Sequence, residues 1–164
     1  MTKWAILATG PSITQEQVDY VKGKASVIAV SDSYKLAPWA DILLSADLSW
    51  WEYHQPDFSG EKYNYKMMKG APAGINSGAL AVRLARQRGA KEIILLGFDG
   101  HGSHFFGPHP SPLKNTTDAR RAVHLKQHEL EARICSAEGV RVVNCSPGTS
   151  IKCYPLGKLH DCLY

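Results

Sequence analysis

No run of about eighteen apolar residues occurs in the 164-residue chain, which excludes a membrane-spanning helix. The opening apolar run, Trp4-Ala5-Ile6-Leu7, is too short for a secretory h-region, so the cytoplasm is the expected compartment. No Cys-x-x-Cys pair is present. Cys135, Cys145, Cys153 and Cys162 are spaced by ten, eight and nine residues, which argues against a zinc ribbon. Reduced thiols are expected, with Cys135 and Cys145 in the core. Charge of one sign is scarce. Nineteen Lys and Arg face fifteen Asp and Glu, and the net charge is +4 without a long basic block. No basic patch is interleaved with aromatics, so nucleic acid is not the expected partner. A mildly basic chain suits a small polyanion such as a nucleotide. Gly-x-Gly-x-x-Gly and Gly-Lys-Ser/Thr are both missing, which removes the ordinary dinucleotide and P-loop sites. Repeats, low-complexity tracts and linkers are missing too, and residues 1–164 read as one domain.

What is present is alternation. Short apolar runs predict strands at Trp4–Ala8, Ser26–Ser31, Asp41–Ser45, Lys91–Leu96 and Val140–Asn144. An edge strand is expected near Tyr63–Met67. Between these runs, amphipathic patterns predict helices from Thr14 to about Lys22, over Leu48–His54, from Ser77 to Gly89 and over Asp118–Ala137. Ser12 reads as an N-cap. The tail carries a short helical pattern near Leu156–Leu163. Strands alternating with helices predict an α/β fold: a Rossmann-like three-layer sandwich with a mostly parallel sheet.

Ligands of such sheets bind beyond the carboxyl ends of the strands. Those ends carry Thr9, Gly10, Pro11 and Ser12, then Ser31 and Asp32, then Ser45 and Asp47, then Gly97, Phe98 and Asp99, and finally Asn144, Ser146 and Thr149. Small and polar residues thus follow strands that are almost purely apolar. Gly10-Pro11-Ser12 reads as a turn that presents helix amides to a phosphate. Asn76-Ser77-Gly78 opens the strongest helix and reads as a second anion site. Asp32, Asp47 and Asp99 would have to converge to hold magnesium. The long loop 100–117 carries His101, His104 and His109 in a Gly/Pro context that suits a general base better than zinc. His124 and His128 lie one helical turn apart, so one of them is a further candidate. Trp39, Trp50, Trp51 and Tyr53 form an aromatic group that could stack on a base or make a homo-oligomer contact.

Taken in order, Gly10-Pro11-Ser12, Asn76-Ser77-Gly78, Lys91-Glu92-Ile93-Ile94-Leu95-Leu96-Gly97-Phe98-Asp99 and Asn144-Cys145-Ser146-Pro147 resemble a known pattern. It is that of the Campylobacter-type bacterial α-2,3-sialyltransferases, of the 6-hydroxymethylpterin diphosphokinase-like proteins, and of small phage proteins that share their core. The resemblance covers roughly residues 4–150. It implies a nucleotide-sugar-dependent transferase with its nucleotide and phosphate at Gly10–Ser12 and Asn76–Gly78. Ser31, Asp32 and Asp47 would stand where the family uses asparagine. A catalytic histidine would lie between the Gly97–Asp99 turn and the last strand, an interval that holds both His109 and His124. The diphosphokinase branch would instead use magnesium on Asp32, Asp47 and Asp99. A binding module without turnover is the remaining alternative.

Overall fold

The computed structural model describes residues 2–164. Its strands are β1 (Lys3–Leu7), β2 (Ser26–Val30), β3 (Ile42–Leu44), β4 (Glu61–Tyr63), β5 (Glu92–Leu96) and β6 (Arg141–Asn144). Its helices are α1 (Gln15–Val21), α2 (Leu48–His54), α3 (Ser77–Gln87), α4 (Asp118–Ala137) and α5 (Leu159–Cys162). The six strands form one sheet in the order β4-β3-β2-β1-β5-β6, and every pairing is parallel. This is an α/β, Rossmann-like sandwich.

Side chains alternate across the sheet. Ile6, Ile28, Leu44, Ile93 and Leu95 pack on one face with Leu80, Leu84 and Cys135 of α3 and α4. Ala5, Leu7, Val27, Leu43 and Leu96 pack on the other with Val18, Val21 and Trp50, and with Leu159 and Cys162 of the tail. Both faces are covered, which is why the strands read as continuous apolar runs. Among the described residues no helix is long and apolar enough to cross a membrane.

The chain steps outward from β1 to β4, and α3 then carries it back to β5 beside β1. The direction of winding reverses between β1 and β5, and a crevice opens at such a reversal.

Several local expectations need correction. Ser12 does not cap α1. Thr14 does, in a capping box with Gln17, because Ser12 is bonded elsewhere. The edge strand is Glu61–Tyr63, fixed by the pairing of Leu44 with Tyr63, and Asn64 then caps a 3-10 turn over Tyr65–Met67. The tail helix is confined to Leu159–Cys162, since Leu156 bridges β6 at Asn144. Trp50 is 3% exposed and sits in the core, so it offers no aromatic surface to a partner. Trp51 is half-buried and donates Nε1–H to the Ser45 carbonyl at 2.9 Å.

Candidate functional site

The turn after β1 is already occupied by the protein itself. Asp99, just beyond β5, is buried, and its carboxylate accepts the Ser12 amide at 2.7 Å and the Ser12 hydroxyl at 2.5 Å. Gly10 is required by this contact. A Cβ there would lie 2.4 Å from the Gly97 carbonyl oxygen and 2.7 Å from the Asp99 carboxyl carbon. The turn therefore behaves as an anion cradle whose anion is Asp99.

The start of α3 is built differently. Asn76 caps it by accepting the Ala79 amide at 3.0 Å, and the Asn76 carbonyl accepts the Leu80 amide. The Ser77 hydroxyl accepts the Ala46 amide at 2.9 Å, tying the helix to the end of β3. The Ser77 and Gly78 amides have no protein acceptor among the described residues. Gly78 is explained by packing, since a Cβ there would meet Phe98 at 2.8 Å. From α4, Gln127 accepts the Asn76 amide at 2.8 Å, and Arg120 donates to the Gly74 carbonyl at 2.5 Å. A cation therefore stands beside this helix start.

Between the two turns lie the ends of β2 and β3. Ser31 adopts φ +49°, a left-handed conformation that costs a serine energy, and its hydroxyl lies 2.9 Å from that of buried Ser45. Asp32 is buried and receives Trp50 Nε1–H at 2.8 Å and Lys35 Nζ at 2.9 Å. Burial opposes its ionisation, but these two bonds and the charge of His54 outweigh burial and hold its pKa below the ordinary value. Asp47 occupies the N-cap position of α2 without capping it. It opens to solvent, yet the protein mass beneath it raises its carboxyl pKa, against the pull of Arg120 and His109.

Loop 100–117 is pinned across these ends. The Phe105 amide donates to the Thr9 carbonyl at 2.8 Å, and His104 Nδ1 meets the Thr9 hydroxyl at 2.8 Å. Arg121 donates to the Gly102 carbonyl at 2.6 Å, and the Asn115 side chain holds the backbone of His109. The His109 ring lies 4.3 Å from His104 and 5.3 Å from Phe106, centroid to centroid.

The histidines separate into bonded and unbonded rings. His101 is bonded to the Gly148 carbonyl, His104 to Thr9, and His128 to the Tyr154 hydroxyl in the core. Burial lowers the pKa of His104 to about 4 and of His128 to about 3. His128 is thus a core residue and leaves the list of candidates. His109 is half-buried, and its buried Nδ1 has no partner. Burial lowers its pKa, while the charges of Asp32 and Asp47 raise it. His124, on α4, is half-buried and lowered by burial and by Arg120, with no carboxylate acting on it. His54, at the end of α2, is a residue that motif reading overlooked. Its side chain is 9% exposed, and Nε2 stands unbonded 3.6 Å from Asp32 Oδ1.

The three aspartates are not arranged to hold magnesium among the described residues. Asp99 is committed to Ser12, and Asp32 to Trp50 and Lys35. No three His, Cys, Asp or Glu side chains converge as a metal site among the described residues. A groove of about 910 Å³ runs between α1 and the tail, lined by Tyr20, Asn144, Cys145, Leu156 and Leu159. The unbonded imidazoles and the uncapped carboxylate lie at the strand ends instead, and the candidate site is assigned there. No protein-family model matches the chain, nor does any curated protein or solved structure.

Proposed function

We propose that the cleft over the ends of β1, β2 and β3 binds a nucleotide sugar and transfers its glycosyl group, with His109 as the general base. One observation carries the assignment of the base. His109 is the half-buried imidazole that has no hydrogen-bond partner on Nδ1 and has two carboxylates, Asp32 and Asp47, within electrostatic reach. A ring whose tautomer nothing fixes, and which burial keeps neutral near pH 7, is free to take a proton. His124 lacks that carboxylate support, which is why His109 is preferred. The resemblance of the ordered motifs supports the choice of donor class.

In this reading the phosphate binds at the start of α3, and the unbonded Ser77 amide, the nearby Arg120 and the commitment of the Ser12 donors to Asp99 support that choice. In the transfer, His109 removes the proton of an acceptor hydroxyl. That oxygen forms its bond to the anomeric carbon as the bond from this carbon to the phosphate oxygen breaks. The electron pair leaves with the nucleoside phosphate.

A panel of nucleotides and nucleotide sugars, tested by thermal shift with and without magnesium, checks the binding. A ligand at a hundred times its dissociation constant adds about 2.7 kcal/mol of stability. Stabilisation without metal by a cytidine nucleotide, with turnover lost in His109→Gln and kept in His124→Gln, is the expected result. Stabilisation only by a purine triphosphate with magnesium contradicts the transferase. Ligand binding with no turnover in any acceptor screen favours a binding module.

A further inference from the structure

The segment after β6 turns back on its own start. The Asn144 amide donates to the Pro155 carbonyl at 2.7 Å, and the Gly157 amide donates to the Asn144 carbonyl at 3.1 Å. The loop closed by this neck braces the turn after β5. Ser146 Oγ accepts the Phe98 amide at 2.9 Å, Thr149 Oγ1 donates to the Phe98 carbonyl at 2.6 Å, and the Ser150 amide donates to the Asp99 carbonyl at 2.7 Å. Beyond the neck, α5 lays Leu159 and Cys162 on the sheet, and the Tyr20 hydroxyl donates to the Leu163 carbonyl. Two thiols meet where the ends of this segment come together. Cys145 and Cys162 are free and buried, 17 residues apart in the chain, with their sulfurs 4.0 Å from each other. An approach of about 2 Å joins them, within reach of side-chain rotation. Cys145 also lines the groove of about 910 Å³ between α1 and the tail. Exposed Glu16 and Asp19 stand on the α1 wall of that groove, and exposed Lys152 and Lys158 on the tail wall. The groove thus suits a small molecule that carries charges of both signs.

We propose that Cys145 and Cys162 form a redox site, converted to a disulfide by a small zwitterionic disulfide that reaches Cys145 through the groove. The site does not depend on the transferase reading. Cys145 reacts first because it borders the groove. Its thiolate attacks one sulfur of the small disulfide, forms a mixed disulfide and releases one small thiolate. The Cys162 thiolate then attacks the Cys145 sulfur, forms the internal bond and expels the second small thiolate. The two leaving thiolates take up the two protons that the protein gives away. The protein loses two electrons, and the small disulfide is reduced to two thiols. Burial and the neighbouring sulfur push the Cys145 thiol up, so thiolate is scarce at neutral pH and the reaction is slow there. Once formed, the bond ties α5 to the end of β6 and closes the loop that braces Asp99.

The test exposes the folded 164-residue chain to oxidised glutathione, then alkylates the remaining thiols and maps the peptides by mass. The wild type is expected to lose two alkylatable thiols and to yield one linked peptide pair, Cys145 with Cys162, reversed by dithiothreitol. Cys162→Ser should stop at a glutathione adduct on Cys145. Cys153→Ser removes a half-buried thiol outside the pair and should form the bond as the wild type does. Bond formation should speed up roughly tenfold from pH 7 to pH 8, as the thiolate fraction does. The oxidised form should melt about 5 °C or more above the reduced form, because a bond across 17 residues restricts the unfolded chain. Four alkylatable thiols after treatment of the folded wild type overturn the site. So does a glutathione adduct that Cys162 never resolves, a link through Cys135 or Cys153, or a bond that forms only in urea. A bond without a rise in melting temperature overturns the tether.

Discussion

Gly10-Pro11-Ser12 and Asn76-Ser77-Gly78 look alike in sequence and are opposites in structure. Each is a run of small residues between a strand and a helix. In the first, the amide and hydroxyl of Ser12 are spent on Asp99, a carboxylate 87 residues away. In the second, the cap is satisfied locally by Asn76, and the Ser77 amide stays unspent. Gly10 is there because Asp99 and the Gly97 carbonyl approach, Gly78 because Phe98 does. The lesson is that glycine and serine at a helix start announce close approach, and the approaching group can be the protein itself. A donor is open to a ligand only after internal acceptors have been counted.

Removing the internal guest breaks the contrast most severely. Asp99→Ala empties a buried carboxylate site, strands the half-buried Ser12 amide and hydroxyl, and should cost roughly 3 kcal/mol in urea unfolding. Inorganic phosphate should restore part of that loss in the variant, by entering the vacated cradle. A neutral Asp99→Ala would mean that the turn is not built on its carboxylate. Gly10→Ala comes next. Its Cβ meets backbone that cannot yield, so a loss of about 2 kcal/mol is expected in the same assay. Asn76→Ala removes only a cap and should cost about 1 kcal/mol. It should also weaken nucleotide binding by loosening the Ser77 amide, whereas Thr14→Ala, a cap of similar cost on α1, should leave affinity unchanged.

The smallest effect at neutral pH is the acid response of the buried histidines. His104 and His128 have folded pKa values lowered to about 4 and about 3, from 6.5. Below pH 6.5 the unfolded chain binds protons that the folded chain refuses, so stability is full above 6.5 and falls as pH drops toward 4. His128→Gln should flatten that decline in urea titrations repeated along the pH scale. An unchanged slope would remove His128 as its source.

How much of this was legible follows from distance along the chain. Leu48–His54 and Asp118–Ala137 coincide with the helices expected, because their signals are local. The parallel sheet was legible because a strand covered on both faces has no polar side to show. Thr14 lost the cap to Ser12 in the reading because the commitment of Ser12 to Asp99 is non-local. The three aspartates look alike in sequence, each just past a strand end, yet their surroundings differ. Asp32 goes to Trp50 and Lys35, and Asp99 to Ser12, while Asp47 faces Arg120 and His109. His109 could be narrowed to an interval and no further, since only burial and partners separate it from His124. His54 carried one faint signal, its place four residues after Trp50 on α2, which puts both on one helix face beside Asp32.

The most direct measurement is an amide and histidine NMR shift map during titration with cytidine monophosphate. The account predicts shifts at the Ser77 amide, at Arg120 and at the His109 ring, with the Ser12 amide unmoved because Asp99 already holds it. Shifts centred on Ser12, with Ser77 and His109 silent, would contradict it.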